Sequence, residues 1–131
     1  MNKPAELKLD TVPLWINGKA IAPAAHRFGD VFNPATVQVT KRVPFCSEEF
    51  IDKAVTAAAA ALPEWRDWPP LRRARVMQRF LALLQENQKT LAAIVTEEHG
   101  KTLPDAMGSV QRGMEVVEFA CGIPHLLKGE F

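Results

Sequence analysis

The sequence predicts an α/β chain in which two hairpin-like strand pairs precede three helices, and three observations carry that reading. Asn17-Gly18 lies between two short runs, Asn33-Pro34-Ala35-Thr36 separates two β-prone runs, and from residue 47 onward apolar residues recur at helical spacing between proline and glycine breaks. Strands followed by helices give neither an alternating βαβ pattern nor a complete sheet, so the strands call for partners beyond those in the chain.

The first pair is placed at residues 12–22. Val12, Leu14 and Ile16 alternate with Pro13 and Trp15, and Asn-Gly supplies the two positive φ angles that a tight hairpin turn requires. The second pair joins residues 27–32 to 37–43, with Pro34 presetting a turn angle and Asn33 able to bond its own backbone. Ser47 then suits a helix N-cap, and Glu48 and Glu49 suit the positive end of the helix dipole. Phe50, Ile51, Ala54, Val55, Ala58 and Leu62 share one face of that helix. Residues 65–70 break the pattern, and Pro70 fits the first turn of the next helix. One long helix is expected over residues 71–98, with Val76, Phe80, Leu84, Leu91 and Val95 on its stripe. Gly100 ends it, and a third helix runs over 104–121 until Gly122 and Pro124 close it.

Composition narrows the function classes. The chain has 131 residues, 16 basic and 15 acidic side chains, a net charge of +1, and 47% hydrophobic residues, which suits one packed domain and not a disordered chain. So small a net charge argues against a broad nucleic-acid or membrane surface and leaves a small molecule or another protein as partner. Residues 1–10 lack the features of a secretory or transit peptide, and no apolar run approaches the ~18 residues of a membrane span. Cys46 and Cys121 are far apart and belong to no Cys/His cluster, so no metal site is expected and a reducing cytoplasmic setting is.

Local motifs are weighed against simpler readings. His99-Gly100-Lys101-Thr102 is no phosphate loop, because Val95 stands where that loop needs glycine; a glycine helix cap, with Lys101 complementing the dipole, is the simpler account. No GxGxxG occurs, and Gly108 and Gly113 have the wrong spacing and fall within a helix pattern. Cys46 precedes a helix start, but a small hydrophobe at a strand end is its commoner role, and Cys121 reads as core. Arg72, Arg73, Arg75 and Arg79 could form a coenzyme patch, although a solvated helix face is the usual meaning of such a run. His26, His99 and His125 form no ligand set, and Trp15, Trp65 and Trp68 read as packing residues. Arg112 is flanked by Gly108, Ser109 and Gly113, and a guanidinium with space beside it can grip a carboxylate by two hydrogen bonds. From spacing alone, an exposed ion pair with Glu115 is the simpler reading.

Taken together, Leu14-Trp15-Ile16-Asn17-Gly18, Asn33-Pro34-Ala35-Thr36, the alanine-rich helix ending in Trp65, Arg72-Arg73-Ala74-Arg75 and Glu97-Glu98-His99-Gly100-Lys101 resemble the amino-terminal part of the aldehyde dehydrogenase superfamily. Residues 108–113 followed by 115–120 look most like the CoA-acylating methylmalonate-semialdehyde dehydrogenase branch. Val37, where glycine or a polar residue is commoner, and His99 depart from the pattern. The resemblance implies an N-terminal extension at 1–11 and, over 12–131, the opening of a Rossmann-like NAD-binding domain that stops short of the rest.

It further implies NAD and CoA as cofactors, a semialdehyde substrate, a homo-oligomer when complete, and Arg112 as holder of the substrate carboxylate. The family's nucleophilic cysteine, oxyanion-site asparagine and dinucleotide contacts match no residue here. No catalytic or cofactor-binding role passes to Cys46 or Cys121, and the isolated chain is expected to be inactive. Alternatives are a dehydrogenase for another aldehyde and a non-catalytic helical module that binds a partner.

Overall fold

The structure, a computed structural model, describes residues 10–22 and 25–130. Most of the segment read as an extension, 1–9, lies outside the described residues, as do residues 23–24 of the loop after the first hairpin. The chain divides into two compact units, Met1–Ala61 and Leu62–Phe131.

In the first unit the expected hairpin is present. Strands β2 (Leu14–Ile16) and β3 (Lys19–Ile21) pair antiparallel, and the turn between them holds Asn17 at φ 51° and Gly18 at φ 72°. The second expected pair is β4 (Phe28–Asn33) with β5 (Gln38–Pro44), also antiparallel. Their register slips between Val31 and Phe32, passing over Thr40. The Thr40 hydroxyl covers the irregularity by donating to the Val31 carbonyl at 3.2 Å. The sheet has a third strand that local patterning does not show: β1 (Asp10–Thr11) runs parallel to β5, giving the order β1-β5-β4. A two-residue strand carries no alternation of its own, so only its partner defines it.

Helix α1 (Glu48–Asp67) follows Ser47, whose carbonyl accepts from the amides of Phe50 and Ile51. It continues past Trp65, with Pro63 inside it, and closes where the amide of Trp68 reaches the carbonyl of Glu64. Pro69 and Pro70 then stop one helix and start the next, because Pro70 lacks only an N–H that a first turn leaves unpaired.

The second unit corrects the single helix expected over 71–98. It is two helices, α2 (Pro70–Glu86) and α3 (Gln88–His99). Asn87 is the break: its side-chain amide donates to the Leu83 carbonyl at 2.8 Å, competing with its own backbone N–H for the same acceptor. The apolar stripe passes across this break unaltered, which is why periodicity misses it. Gly100 ends α3 in the left-handed conformation at φ 81°, its amide bonded to the Thr96 carbonyl. Helix α4 (Leu103–Cys121) and a short α5 (Ile123–Leu126) complete the unit, so the described residues hold five helices where three were expected.

Helix α4 packs against both α2 and α3, and the deepest side chains of this unit are three alanines, Ala74, Ala92 and Ala106, with Met114. Trp15 does not pack as expected. It is 73% exposed, because it points from a two-stranded ribbon with little to cover its outer face. Trp68 is half-buried, with Trp65 at 5.5 Å between ring centroids.

Candidate carboxylate site

The candidate site is built on the first half of α4. Thr102 enters the helix in extended geometry, Pro104 occupies its first turn, and Asp105 lies by the positive end of the dipole. Ser109 and Arg112 are three residues apart on this helix and so share a face. The Arg112 guanidinium donates from Nη2 to the Ser109 Oγ at 3.2 Å. It folds back over Gly108, where an added Cβ would meet Nη1 at 3.6 Å. Gly108 therefore lets the guanidinium lie low along the helix, while the position of Gly113 is open.

The simpler reading of Arg112, an ion pair with Glu115, is not what forms. Glu115 instead accepts from the side-chain amide of Gln111 at 3.3 Å, and Gln111 accepts from Gln88 on α3. Arg112 is exposed, and most of its five N–H donors face away from Ser109.

Lys101 lies just beyond the C-terminal end of α3, and its ammonium reaches Ser109 Oγ at 2.9 Å, so a residue outside α4 joins the same hydroxyl that Arg112 uses. The only hint in the sequence is the glycine cap just before it, which reverses the chain and lets Lys101 turn toward the next helix.

The other candidates do not assemble. Cys46 is half-buried just before α1, with its thiol near the Pro44 carbonyl at 3.8 Å, and Cys121 sits half-buried at the end of α4. Arg72 stacks over Trp68 at 3.6 Å from the ring centroid, whereas the buried Nε of Arg73 has no hydrogen-bond partner among the described residues, so the two point to different surroundings. Arg73 borders an apolar cleft of about 290 Å³ that Trp65, Met77 and Ile123 also line. Among the described residues no group of His, Cys, Asp or Glu side chains could hold a metal ion, and no helix is long and apolar enough to cross a membrane.

Among the described residues Gly108 and Gly113 do not form a glycine turn that fits a dinucleotide. Gly108 and Gly113 lie inside α4, not in a turn between a strand and a helix where backbone N–H groups could face a pyrophosphate.

The chain belongs to the aldehyde dehydrogenase family, whose model matches residues 21–131. Its relatives within the family include semialdehyde dehydrogenases. The chain is 47% identical over 123 residues to malonate-semialdehyde dehydrogenase of Pseudomonas aeruginosa, covering 94% of this chain and 24% of that one. It is 42% identical over 120 residues to the human mitochondrial methylmalonate-semialdehyde/malonate-semialdehyde dehydrogenase [acylating], covering 92% of this chain and 22% of that one. A crystal structure described as a methylmalonate-semialdehyde dehydrogenase from Sinorhizobium meliloti, complexed with NAD, superposes with a TM-score of 0.88 at 44% identity, covering 94% of this chain and 25% of its own. The chain thus spans about a quarter of the length of these relatives, at their N-terminal part, and its fold is a partial α/β domain of that family.

Proposed function

We propose that this chain is the opening segment of an NAD-dependent, CoA-acylating semialdehyde dehydrogenase. The observation that carries the reading is Arg112, an arginine laid along a glycine-lined helix face with donors to spare and no ion pair to Glu115. A planar guanidinium binds a carboxylate through two parallel N–H donors, which suits a substrate with an acid at one end and an aldehyde at the other. The likeness to malonate- and methylmalonate-semialdehyde dehydrogenases supports that substrate class.

The whole reaction would oxidise the aldehyde carbon at the expense of NAD, pass the acyl group to CoA and release carbon dioxide from the far carboxylate. NAD supplies the hydride acceptor when bound, and CoA accepts the acyl group. The part of Arg112 would be to orient the acid end and so present the aldehyde to chemistry housed elsewhere. The isolated chain should give no NADH with malonate or methylmalonate semialdehyde plus CoA, and turnover by the pure chain would refute that division of labour.

Specificity is tested in a chimera joining this chain to the remaining three-quarters of the Pseudomonas enzyme. There Arg112→Leu should lower kcat/KM for malonate semialdehyde by about 10- to 100-fold, the size of a lost charge-assisted hydrogen-bond pair, and leave uncharged aldehydes little changed. Equal losses for both would favour a different aldehyde as substrate. Exposed Val116 and Phe119 on α4, at 70% and 67%, favour a second reading in which the chain serves as an association module. Sedimentation of the pure chain tests it, since a monomer at every concentration would exclude self-association.

A further inference from the structure

We propose that Lys101, Ser109 and Arg112 act as one carboxylate receptor, with Lys101 as a positioning residue that sets the hydroxyl pivot. This rests on the reading of Arg112 as the carboxylate-holding residue and adds to it a second cation from outside α4. Two bonds define the arrangement: Lys101 Nζ to Ser109 Oγ at 2.9 Å and Arg112 Nη2 to the same oxygen at 3.2 Å.

A serine hydroxyl has two lone pairs and one proton. With both lone pairs accepting from cations, the Ser109 proton is left to donate outward. Lys101 keeps two of its three N–H bonds and Arg112 four of its five, so the group as a whole offers donors and no acceptor. Water, which must both donate and accept to be well satisfied, suits such a set less than an anion does. A carboxylate brings only acceptor oxygens, and its two oxygens can serve two donors at once.

Charge favours the same occupant. Two cations bonded to one oxygen repel each other, and an anion placed between them converts that repulsion into two attractions. Lys101 and Ser109 are both half-buried, so solvent screens them less than it does exposed Arg112. The division of roles follows from chain position. Arg112 and Ser109 ride on one helix, whereas Lys101 belongs to the turn after Gly100 and ties the hydroxyl to the end of α3. Without Lys101 the Ser109 hydroxyl would be free to rotate and to accept from water, and Arg112 would lose its fixed support.

The test is a titration of the pure, isotopically labelled 131-residue chain with malonate, read by NMR at the Lys101 Cε and Nζ, the Ser109 amide and the Arg112 Nε resonances. In the unmodified chain all three residues should respond with one common affinity, and uncharged dimethyl malonate should move none of them. Lys101→Met should weaken malonate binding about tenfold, and Ser109→Ala should do so by a similar factor. Lys101→Arg, which keeps the charge and the donor, should restore most of the loss.

If Arg112→Leu abolishes binding while Lys101→Met leaves the affinity unchanged, the receptor is overturned and the reading of Arg112 survives. If malonate moves no resonance of Arg112 or Ser109 in the unmodified chain, both fall. A response at Arg112 without one at Lys101 also overturns the receptor, and needs no variant to fold.

Discussion

The carbonyl of Asn33 accepts a 2.8 Å hydrogen bond from the amide of Val37, and across that bond Val37 is held at φ 58°. The Asn33 side chain tightens the same turn by accepting from the amide of Ala35 at 2.9 Å. A β-branched residue in left-handed geometry crowds its own backbone by roughly 1–2 kcal/mol. Val37 is 77% exposed, so little packing offsets that strain. Val37→Gly should therefore stabilise the chain by about 1 kcal/mol after the extra chain entropy of glycine is allowed for. Urea denaturation would show a higher midpoint at unchanged slope; a lower midpoint would mean that the valine side chain matters to the turn in some other way.

Gly100 has the opposite sign. At φ 81° it occupies a position where any side chain is strained, and its amide closes α3 onto Thr96. Gly100→Ala should cost about 1 kcal/mol. Because the turn it makes also aims Lys101 at Ser109, the substitution should weaken malonate binding together with stability, while Lys101→Met should weaken binding alone.

The stack of Arg72 over Trp68 joins two residues on either side of the proline pair between α1 and α2. With the guanidinium 3.6 Å from the ring centroid, Arg72→Leu should cost about 0.5–1 kcal/mol and change the emission of Trp68. Unchanged fluorescence and stability would show that the stack contributes nothing in solution.

Glu49 provides a pH-dependent signal. A 2.6 Å hydrogen bond from Lys53, and the charge of that ammonium, hold the Glu49 carboxyl below its ordinary value. A depressed folded-state value means that the ionised form is favoured by folding. The contribution is complete above the unfolded carboxylate range and fades as pH falls through the depressed folded value. Glu49 is fully exposed, so the effect on stability is small and screened by salt. NMR titration of the side-chain carboxyl carbon should place its midpoint below the ordinary range, and Lys53→Met should raise it; no movement would show that the pair does not persist in water.

Features set by a few adjacent residues were legible in the sequence. Asn17-Gly18 and Gly100 announce positive φ through residue type alone, and both turns stand where expected. Features that depend on distant partners were not. Asp10–Thr11 is a strand only because β5 lies beside it, and Asn87 divides a helix without altering the spacing of the apolar stripe. At the candidate site, spacing and family resemblance singled out Arg112, but helix geometry alone paired it with Glu115. Gln111 takes that acid instead, and the bond from Lys101 to Ser109 spans a turn that no periodic pattern registers.

Among the described residues the buried apolar side chains are three alanines, one methionine and Pro44, and none of the large ones is fully enclosed. The rise in heat capacity on unfolding grows with the apolar area newly wetted, and so does the sensitivity to denaturant. So small a core wets little new area. For this chain alone the curve of stability against temperature should therefore be low and flat, with a broad melt and a shallow response to urea. Enclosing Leu83, Val116 and Phe119 in a larger assembly would sharpen both.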